Sequence, residues 1–137
     1  MAGWQSTSLA GLPPAPDGPG PAEWKPIRHH FGVRAFGVNA WVASEAGQEL
    51  IEEHDELEED GAPGGHEELY AITAGRAVFT VDGERVEAPA GTLLFVADPA
   101  LVRSAVAVDA GTTVLCVGGW PDRAFEPSDW ELRRLGA

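Results

Sequence analysis

The sequence predicts an all-β domain, a sandwich or barrel of short antiparallel strands. Short apolar and β-branched runs recur at intervals of about ten residues, and turn residues separate them. The 17 glycines and 11 prolines supply these turns, and the 44% hydrophobic content excludes a wholly disordered chain. At 137 residues the chain has the length of one domain with a single core.

The charge of the chain excludes several classes of partner. The net charge is -13 and the pI is near 4.5. Nucleic acids and anionic membranes are both bound largely through Lys and Arg, so neither is an expected partner. No apolar stretch approaches the roughly 18 residues of a spanning helix, and residues 1–10 lack the pattern of a signal peptide. We expect a cytoplasmic protein, with which the single cysteine, Cys116, is consistent.

The elements follow in order along the chain. Residues 1–22 are rich in Pro and Gly and predict a flexible tail, with a single domain at 23–137. Strands are expected at 27–33, 38–43 and 48–54, followed by an acidic loop at 57–65 whose Gly and Pro interrupt any strand.

The centre of the chain predicts a strand at 68–73, a turn at Gly75 and then a hairpin. Residues 77–81 pair with 84–88 across Asp82-Gly83, the residue pair most typical of a two-residue type I′ turn. This turn sets Phe79 opposite Val86, which gives the hairpin one apolar and one polar face.

The last third of the chain predicts three more strands and one helix. The strands are expected at 92–97, 103–108 and 112–118, and Cys116 in the last of them is expected to be a buried, unreactive thiol. Residues 127–135 predict a short C-terminal helix, because Ser128 and Glu131 have the spacing of a capping box.

Two segments resemble the sequence motifs of the cupins. Glu68 followed after six residues by Gly75 resembles the end of the first motif. Gly83 followed after five residues by Pro-Ala-Gly at 89–91 resembles the start of the second motif, and the apolar residues 92–96 resemble its strand. This resemblance extends over about residues 47–118. It implies a small single-domain, RmlC-like cupin with a jelly-roll β-barrel and a ligand cavity, commonly paired into a homodimer.

The usual cupin metal ligands are missing at their expected positions. Cupins often hold iron, manganese, nickel or zinc with two His and one Glu from the first motif and one His from the second. Counting back from Glu68, the first-motif histidines would fall on residues 62 and 64, or 61 and 63, which have no ligating side chain. The second-motif histidine would fall near Val102 or Arg103. The resemblance therefore implies a degenerate metal motif.

Other side chains offer two replacements for the lost motif. His54, His66 and Glu68 would form a set of two histidines and one carboxylate, which suits one divalent transition metal, Fe(II) first and Mn, Ni or Zn after it. The alternative is a metal-free cavity in which Glu68, Tyr70 and Arg103 bind the ligand, with Arg103 neutralising Glu68 and binding an acidic group. The sequence leaves both sets open.

Three functions are compatible with these residues. The first is a small cupin that binds a small molecule in its barrel with weak or no catalysis. The second is a metal-dependent cupin enzyme, an oxygenase or isomerase of a small organic substrate. The third is a structural or regulatory homodimer. Whether the protein is an enzyme does not follow from the sequence, because fold alone does not fix function.

Overall fold

In a computed structural model of the protein, residues 3–57 and 64–136 are described, and within them nine strands form two antiparallel sheets. The larger sheet has the order β1-β2-β9-β4-β7, and the smaller has the order β3-β8-β5-β6. The strands are β1 (Glu23–Lys25), β2 (Gly37–Val42), β3 (Glu49–His54), β4 (Glu67–Ala74), β5 (Arg76–Val81), β6 (Glu84–Pro89), β7 (Leu93–Val96), β8 (Arg103–Ala107) and β9 (Thr113–Gly119). The two helices are α1 (Ile27–Phe31) and α2 (Asp129–Leu135). The all-β prediction, with a short C-terminal helix, is confirmed.

The predicted hairpin forms in the predicted register. Phe79 lies opposite Val86, and Ala77 lies opposite Ala88. Asp82 and Gly83 have φ angles of 50° and 79°, which are the two left-handed conformations that a type I′ turn requires. The two turn residues, Asp82 and Gly83, thus determine both the turn type and the register of the strand pairing.

The interior lies between the two sheets and is filled by alternate residues of the strands. Tyr70, Ile72, Phe79, Val96 and Val114 are each at most 2% exposed and form the centre of this core. The described residues contain no helix that is long and apolar enough to cross a membrane.

The strand predicted at 27–33 is wrong, because residues 27–31 form helix α1 instead. Gly32 ends this helix in the left-handed conformation, and its N–H donates to the carbonyl of His29 at 3.3 Å. Within the helix, the buried Arg28 forms an ion pair with Glu131 of α2. A contact across 103 residues of sequence therefore outweighs the local strand propensity.

The predicted helix at the C-terminus is present, but its capping box is not. Ser128 occupies the N-cap position without a side-chain hydrogen bond to the helix, and Glu131 turns to Arg28. A buried guanidinium needs a counter-charge more than an exposed helix end needs a cap, so the long-range pair forms.

Part of the segment predicted to be a tail packs against the barrel. Leu12 is 3% exposed, and its carbonyl accepts a hydrogen bond from Lys25 Nζ at 2.6 Å. The Ala15 N–H donates to the Trp24 carbonyl at 2.9 Å. These residues contact the domain predicted at 23–137, while the flexibility of residues 1–22 stays a prediction. Most of the acidic loop predicted at 57–65 lies outside the described residues.

Candidate functional site

A cavity of about 460 Å³ opens between the two sheets, and we call it the barrel cavity. Strands β2, β3, β4 and β9 form its walls, and residues from the N-terminal segment and from α2 lie at its edge. Trp41, Tyr70 and Trp120 provide aromatic surface, and Glu56 and Glu68 provide carboxylates. The cavity has the size of small-molecule sites, in which a few polar groups lie among apolar walls.

Glu68 accepts three hydrogen bonds at the base of this cavity. Its Oε1 accepts from the Tyr70 hydroxyl at 2.6 Å and from Arg103 Nη1 at 3.3 Å. Its Oε2 accepts from the Cys116 thiol at 3.2 Å. Strand alternation explains the arrangement, since Glu68 and Tyr70 face the same side of β4, and Cys116 lies opposite Tyr70 on β9.

Arg103 is a fully buried cation under the cavity. Its exposure is 0%, and its Nη1 lies 3.3 Å from Glu68 Oε1 and 3.8 Å from Glu56 Oε1. Its Nε and Nη2 have no hydrogen-bond partner among the described residues. The guanidinium therefore neutralises Glu56 and Glu68 from the protein interior, because Arg103 is not among the residues that line the cavity.

His54 approaches the same two carboxylates from β3, where it pairs with Arg103 of β8. Its Nε2 lies 3.1 Å from Glu56 Oε1 and 3.6 Å from Glu68 Oε1, and its Nδ1 donates to the Glu52 carbonyl at 2.6 Å. Burial by itself lowers the pKa of His54, but these hydrogen bonds outweigh burial and raise the pKa to about 10. His54 is therefore a cation at neutral pH.

A register shift in β3 produces this position of His54. The pairing with β8 is irregular between Ile51 and His54, and the neighbours Leu50 and Ile51 are both buried. Simple alternation would place Leu50, Glu52 and His54 on one face, but Glu52 is exposed. A bulge re-aims side chains in this way, and the sequence does not reveal its position.

Glu56 is the member of the site that sequence reasoning missed. Its Oε1 faces His54, and its Oε2 lies 3.2 Å from His66 Nδ1. Burial by itself raises the pKa of Glu56, but the hydrogen bonds from the two histidines lower it to about 2. Its spacing of two residues from His54 was an available signal, but it lies in an acidic run that looks like a solvated surface.

His66 is near the site but is not one of the grouped ligands. Its ring lies 4.0 Å from the ring of Trp120 and 6.1 Å from that of Phe125, and its Nδ1 is directed to Glu56. Among the described residues, the group with ligand atoms within 4.8 Å of one another is His54, Glu56 and Glu68. The predicted metal set is thus brought together only in part, with Glu56 in the place of His66.

The spacing of this group suits a divalent metal, whereas the hydrogen bonds that Glu68 accepts from Tyr70 and Arg103 compete with one. Ligands about 2.1 Å from one ion, at angles of about 90–109°, lie roughly 3.0–3.4 Å apart. The distances of 3.1 and 3.6 Å from His54 Nε2 are close to these values. However, Glu68 Oε1 already accepts bonds from Tyr70 and Arg103, and the guanidinium would repel a second cation. In the arrangement observed, the positive partners of Glu68 are Arg103 and His54.

The other polar groups of the site are held in their protonated forms. Burial, reinforced by the nearby Glu68 charge, raises the pKa of the Cys116 thiol well above its usual value. Burial also raises the pKa of the Tyr70 hydroxyl, which donates to Glu68. The buried position predicted for Cys116 is confirmed, and a thiol in this state is a poor nucleophile.

Comparison with solved structures identifies the architecture. A cupin protein from Bacteroides fragilis matches with a TM-score of 0.63 and 21% identity, over 93% of this chain and 92% of that one. The fold is a cupin fold. A sugar phosphate isomerase from a cupin superfamily, from Silicibacter pomeroyi, matches with a TM-score of 0.65 and 17% identity, over 83% of this chain and 74% of that one.

A third structure, an RmlC-like cupin from Desulfovibrio desulfuricans, matches with a TM-score of 0.51 and 23% identity over 63% of this chain and 73% of that one. No protein-family model matches the chain, and no curated protein matches it. At these identities the likeness establishes the cupin fold and leaves the activity to the site itself. The cupin fold implied by the residues around Glu68 and Gly83 is confirmed.

Proposed function

We propose that this cupin binds a small organic molecule in its barrel cavity without a resident metal, and with weak or no catalysis. The supporting observation is the position of Arg103, whose Nη1 lies 3.3 and 3.8 Å from the two carboxylate oxygens that a metal would need. With His54 protonated, two cations balance Glu56 and Glu68. A buried site neutralised by the protein itself has no electrostatic need for an ion.

The expectation that Arg103 binds an acidic ligand is not part of this proposal. The guanidinium is fully buried, is directed to two carboxylates and does not line the cavity. Glu68 and Tyr70 do line the cavity, and they are the predicted ligand-binding residues that a bound molecule can contact.

The second candidate is a metal-dependent isomerase or oxygenase, which the spacing of His54, Glu56 and Glu68 favours. In that case these three residues would hold the metal, which would act as a Lewis acid or bind oxygen, and Arg103 would have to move away. The likeness to a sugar phosphate isomerase gives this candidate its reaction class by analogy only.

Elemental analysis of protein purified without a His tag distinguishes the two candidates. We expect well under one iron, manganese, nickel or zinc per chain, and the same result for Glu68→Gln and His54→Gln. A near-stoichiometric metal in the parent, lost in both variants, would replace our proposal with the metal-dependent one.

Ligand binding is tested with a blocking variant. Ser128 lines the cavity and makes no capping hydrogen bond, so Ser128→Trp can fill the cavity at little cost to folding. Ser6→Trp, at an exposed residue away from the cavity, is the matched control. In a thermal-shift screen of neutral, cationic and anionic metabolites with EDTA present, we expect compounds that raise the Tm of the parent and of Ser6→Trp but not of Ser128→Trp. If every stabilising compound acts equally on all three proteins, the cavity is not the binding site.

The homodimer implied by the cupin resemblance stays a proposal, and the larger sheet offers a surface for it. Leu69, Leu93 and Phe95 are 39%, 70% and 59% exposed on its outer face, beside the edge strand β7. An exposed apolar face next to an unpaired strand edge is suited to a second copy. Phe95→Glu is expected to convert a dimer to a monomer in sedimentation experiments, whereas a monomeric parent would remove the proposal.

A further inference from the structure

From the charges and aromatic rings of the barrel cavity, we infer that its ligand is a small organic cation, an amine or a quaternary ammonium compound. This inference rests on the proposed function, because it specifies the chemistry of the molecule bound in the same cavity. It follows from three features of the described residues: an excess of carboxylates, aromatic walls and a lining without Lys or Arg, in which the protonated His54 is already paired with two carboxylates.

The cavity walls carry more negative charge than their neighbours neutralise. Seven of the lining residues are Asp or Glu, and none of the lining residues is Lys or Arg within the described part of the chain. Four of the seven are compensated: Glu56 and Glu68 by Arg103 and His54, Glu126 by Arg123, and Glu131 by Arg28. The other three have no Lys or Arg within 4.0 Å among residues 3–57 and 64–136, and they are Glu52, Glu53 and Asp55.

The position of these three carboxylates matters as much as their number. They border the cavity at the end of β3 and just after it, where Glu52 and Glu53 are exposed and Asp55 is partly buried. A charge near low-dielectric walls interacts more strongly with a ligand than the same charge on an open surface. The excess of about three negative charges therefore acts on any molecule that enters.

Aromatic rings are the second feature of the cavity that favours a bound cation. Trp41, Trp120, Phe125 and Trp130 all line the cavity. Two of these rings already bind cations of the protein itself: Arg123 lies 4.5 Å from the centre of Trp120, and Arg134 lies 5.8 Å from the centre of Trp130. Such contacts arise because the electron-rich face of an aromatic ring attracts positive charge.

Trp41 is a lining ring without an aromatic or cation partner among the described residues. It faces the interior from β2 opposite Val114. A ligand cation in the cavity can thus contact the face of Trp41 while its charge is balanced by the carboxylates near the end of β3. Aromatic walls combined with carboxylates are the typical surroundings of bound ammonium groups.

The same features disfavour an anionic ligand. Phosphate and carboxylate groups are normally bound by accessible Arg or Lys or by free backbone N–H groups. The two cations beside Glu68 are already paired: the guanidinium of Arg103 is fully buried against Glu68, and His54 lies beside Glu56 and Glu68. A sugar phosphate would place its negative charge beside uncompensated carboxylates, so the substrate named for the Silicibacter pomeroyi protein does not suit this cavity.

The test compares three small probes by isothermal titration calorimetry: choline, its neutral analogue 3,3-dimethylbutan-1-ol, and the anion glucose 6-phosphate. Choline and the neutral analogue share shape and hydroxyl group and differ in charge. We expect choline to bind at least about tenfold more tightly than the neutral analogue, with an affinity that falls as salt rises, and glucose 6-phosphate not to bind.

Matched variants separate the cavity charges from the charge of the whole protein. Glu53→Gln with Asp55→Asn removes two cavity carboxylates, and Glu84→Gln with Glu87→Gln removes two exposed carboxylates on β6. Both changes alter the net charge equally. We expect the first pair to weaken choline binding about tenfold or more and the second pair to leave it within about twofold.

Four results would each overturn the inference. Choline and the neutral analogue bind equally, glucose 6-phosphate binds more tightly than choline, choline does not bind at all, or the two variant pairs weaken choline binding equally. The failure of the proposed function is recognised separately. If the neutral analogue or the sugar phosphate binds and Ser128→Trp prevents it, the cavity still binds a small molecule and only the cationic class is wrong. If the thermal-shift screen finds no compound that Ser128→Trp blocks, the binding function itself is wrong.

Discussion

Replacing Arg103 with Met tests the central feature of the site. Methionine keeps much of the apolar length of the arginine and removes its charge. At an effective dielectric constant of about 20, the pairs of Arg103 Nη1 with Glu68 at 3.3 Å and with Glu56 at 3.8 Å correspond to about 5 and about 4 kcal/mol of attraction. These are gross attractions, and the desolvation of the charged groups offsets much of them.

The expected net loss is smaller and follows from what the variant leaves behind. Removing one member of a buried ion pair typically costs about 3–5 kcal/mol, because the remaining charge is uncompensated. Arg103 also has two buried nitrogens without partners among the described residues, Nε and Nη2, whose removal offsets part of this loss. We therefore expect Arg103→Met to lower the free energy of unfolding by about 3 kcal/mol at pH 7, at the lower end of the range for buried pairs.

Urea denaturation at pH 7 measures this loss, with Arg85→Met as the matched control. Arg85 is 70% exposed, and its pair with Glu87 is at the 4.0 Å limit, so its replacement should change stability by less than about 0.5 kcal/mol. Glu68→Gln combined with Arg103→Met should cost at least about 1 kcal/mol less than the two single changes together. If Arg103→Met destabilises the protein by less than about 1 kcal/mol, the guanidinium is not the counter-charge of the site.

The same variant should acquire a metal site. Without Arg103, His54, Glu56 and Glu68 retain ligand atoms within 4.8 Å of one another and an unbalanced negative charge. Titration with Zn²⁺ is expected to show at least about tenfold tighter binding to Arg103→Met than to the parent. Arg103→Lys, which keeps the charge, should gain less than Arg103→Met. Equal Zn²⁺ affinity in all three proteins would show that Arg103 does not exclude a metal.

Three further outcomes follow from the structure. The pKa of His54 in the folded protein, about 10, is above its ordinary value of 6.5. The free energy of unfolding of the parent relative to His54→Gln should therefore be greatest below pH 6.5 and should lose this advantage as the pH rises through about 10. Urea denaturation across this pH range measures the difference. Glu131→Gln leaves the buried guanidinium of Arg28 without its charge partner and should lower the free energy of unfolding by about 3 kcal/mol. Arg133→Gln, at an exposed residue, should change it by less than about 0.5 kcal/mol. Similar effects of the two changes would contradict the role of the pair between Arg28 and Glu131. Gly75→Ala should lower the Tm far more than Gly83→Ala, because both residues have positive φ but only at Gly75 would the new methyl group collide with another residue, Thr112. Equal losses of Tm would contradict this packing.

The elements that the sequence predicted correctly are those set by local chemistry. The Asp82-Gly83 turn needs two left-handed residues in succession, and few other residue pairs supply them, so the hairpin and its register could be predicted. Alternation along β4 placed Glu68 and Tyr70 on one face by the same kind of local rule.

The elements that it missed depend on distant residues. Residues 27–31 contain enough β-branched and aromatic residues to resemble a strand, and the helix is held by the pair between Arg28 and Glu131. The bulge in β3 depends on how that strand pairs with β8, and it decides where His54 lies. Glu56 entered the site for the same reason, because the course of the chain after β3 follows from packing and not from propensity.

The sequence by itself determined that this protein is an all-β cupin barrel with a carboxylate, Glu68, directed inward and in need of a positive partner. It could not decide between a metal and an arginine, because both satisfy the same charge. In the tertiary structure the pairing of β3 with β8 sets His54 opposite Arg103 and brings both beside Glu68. Electrostatic energy depends on distances of a few ångströms between residues far apart in the chain, and only the packed barrel fixes those distances.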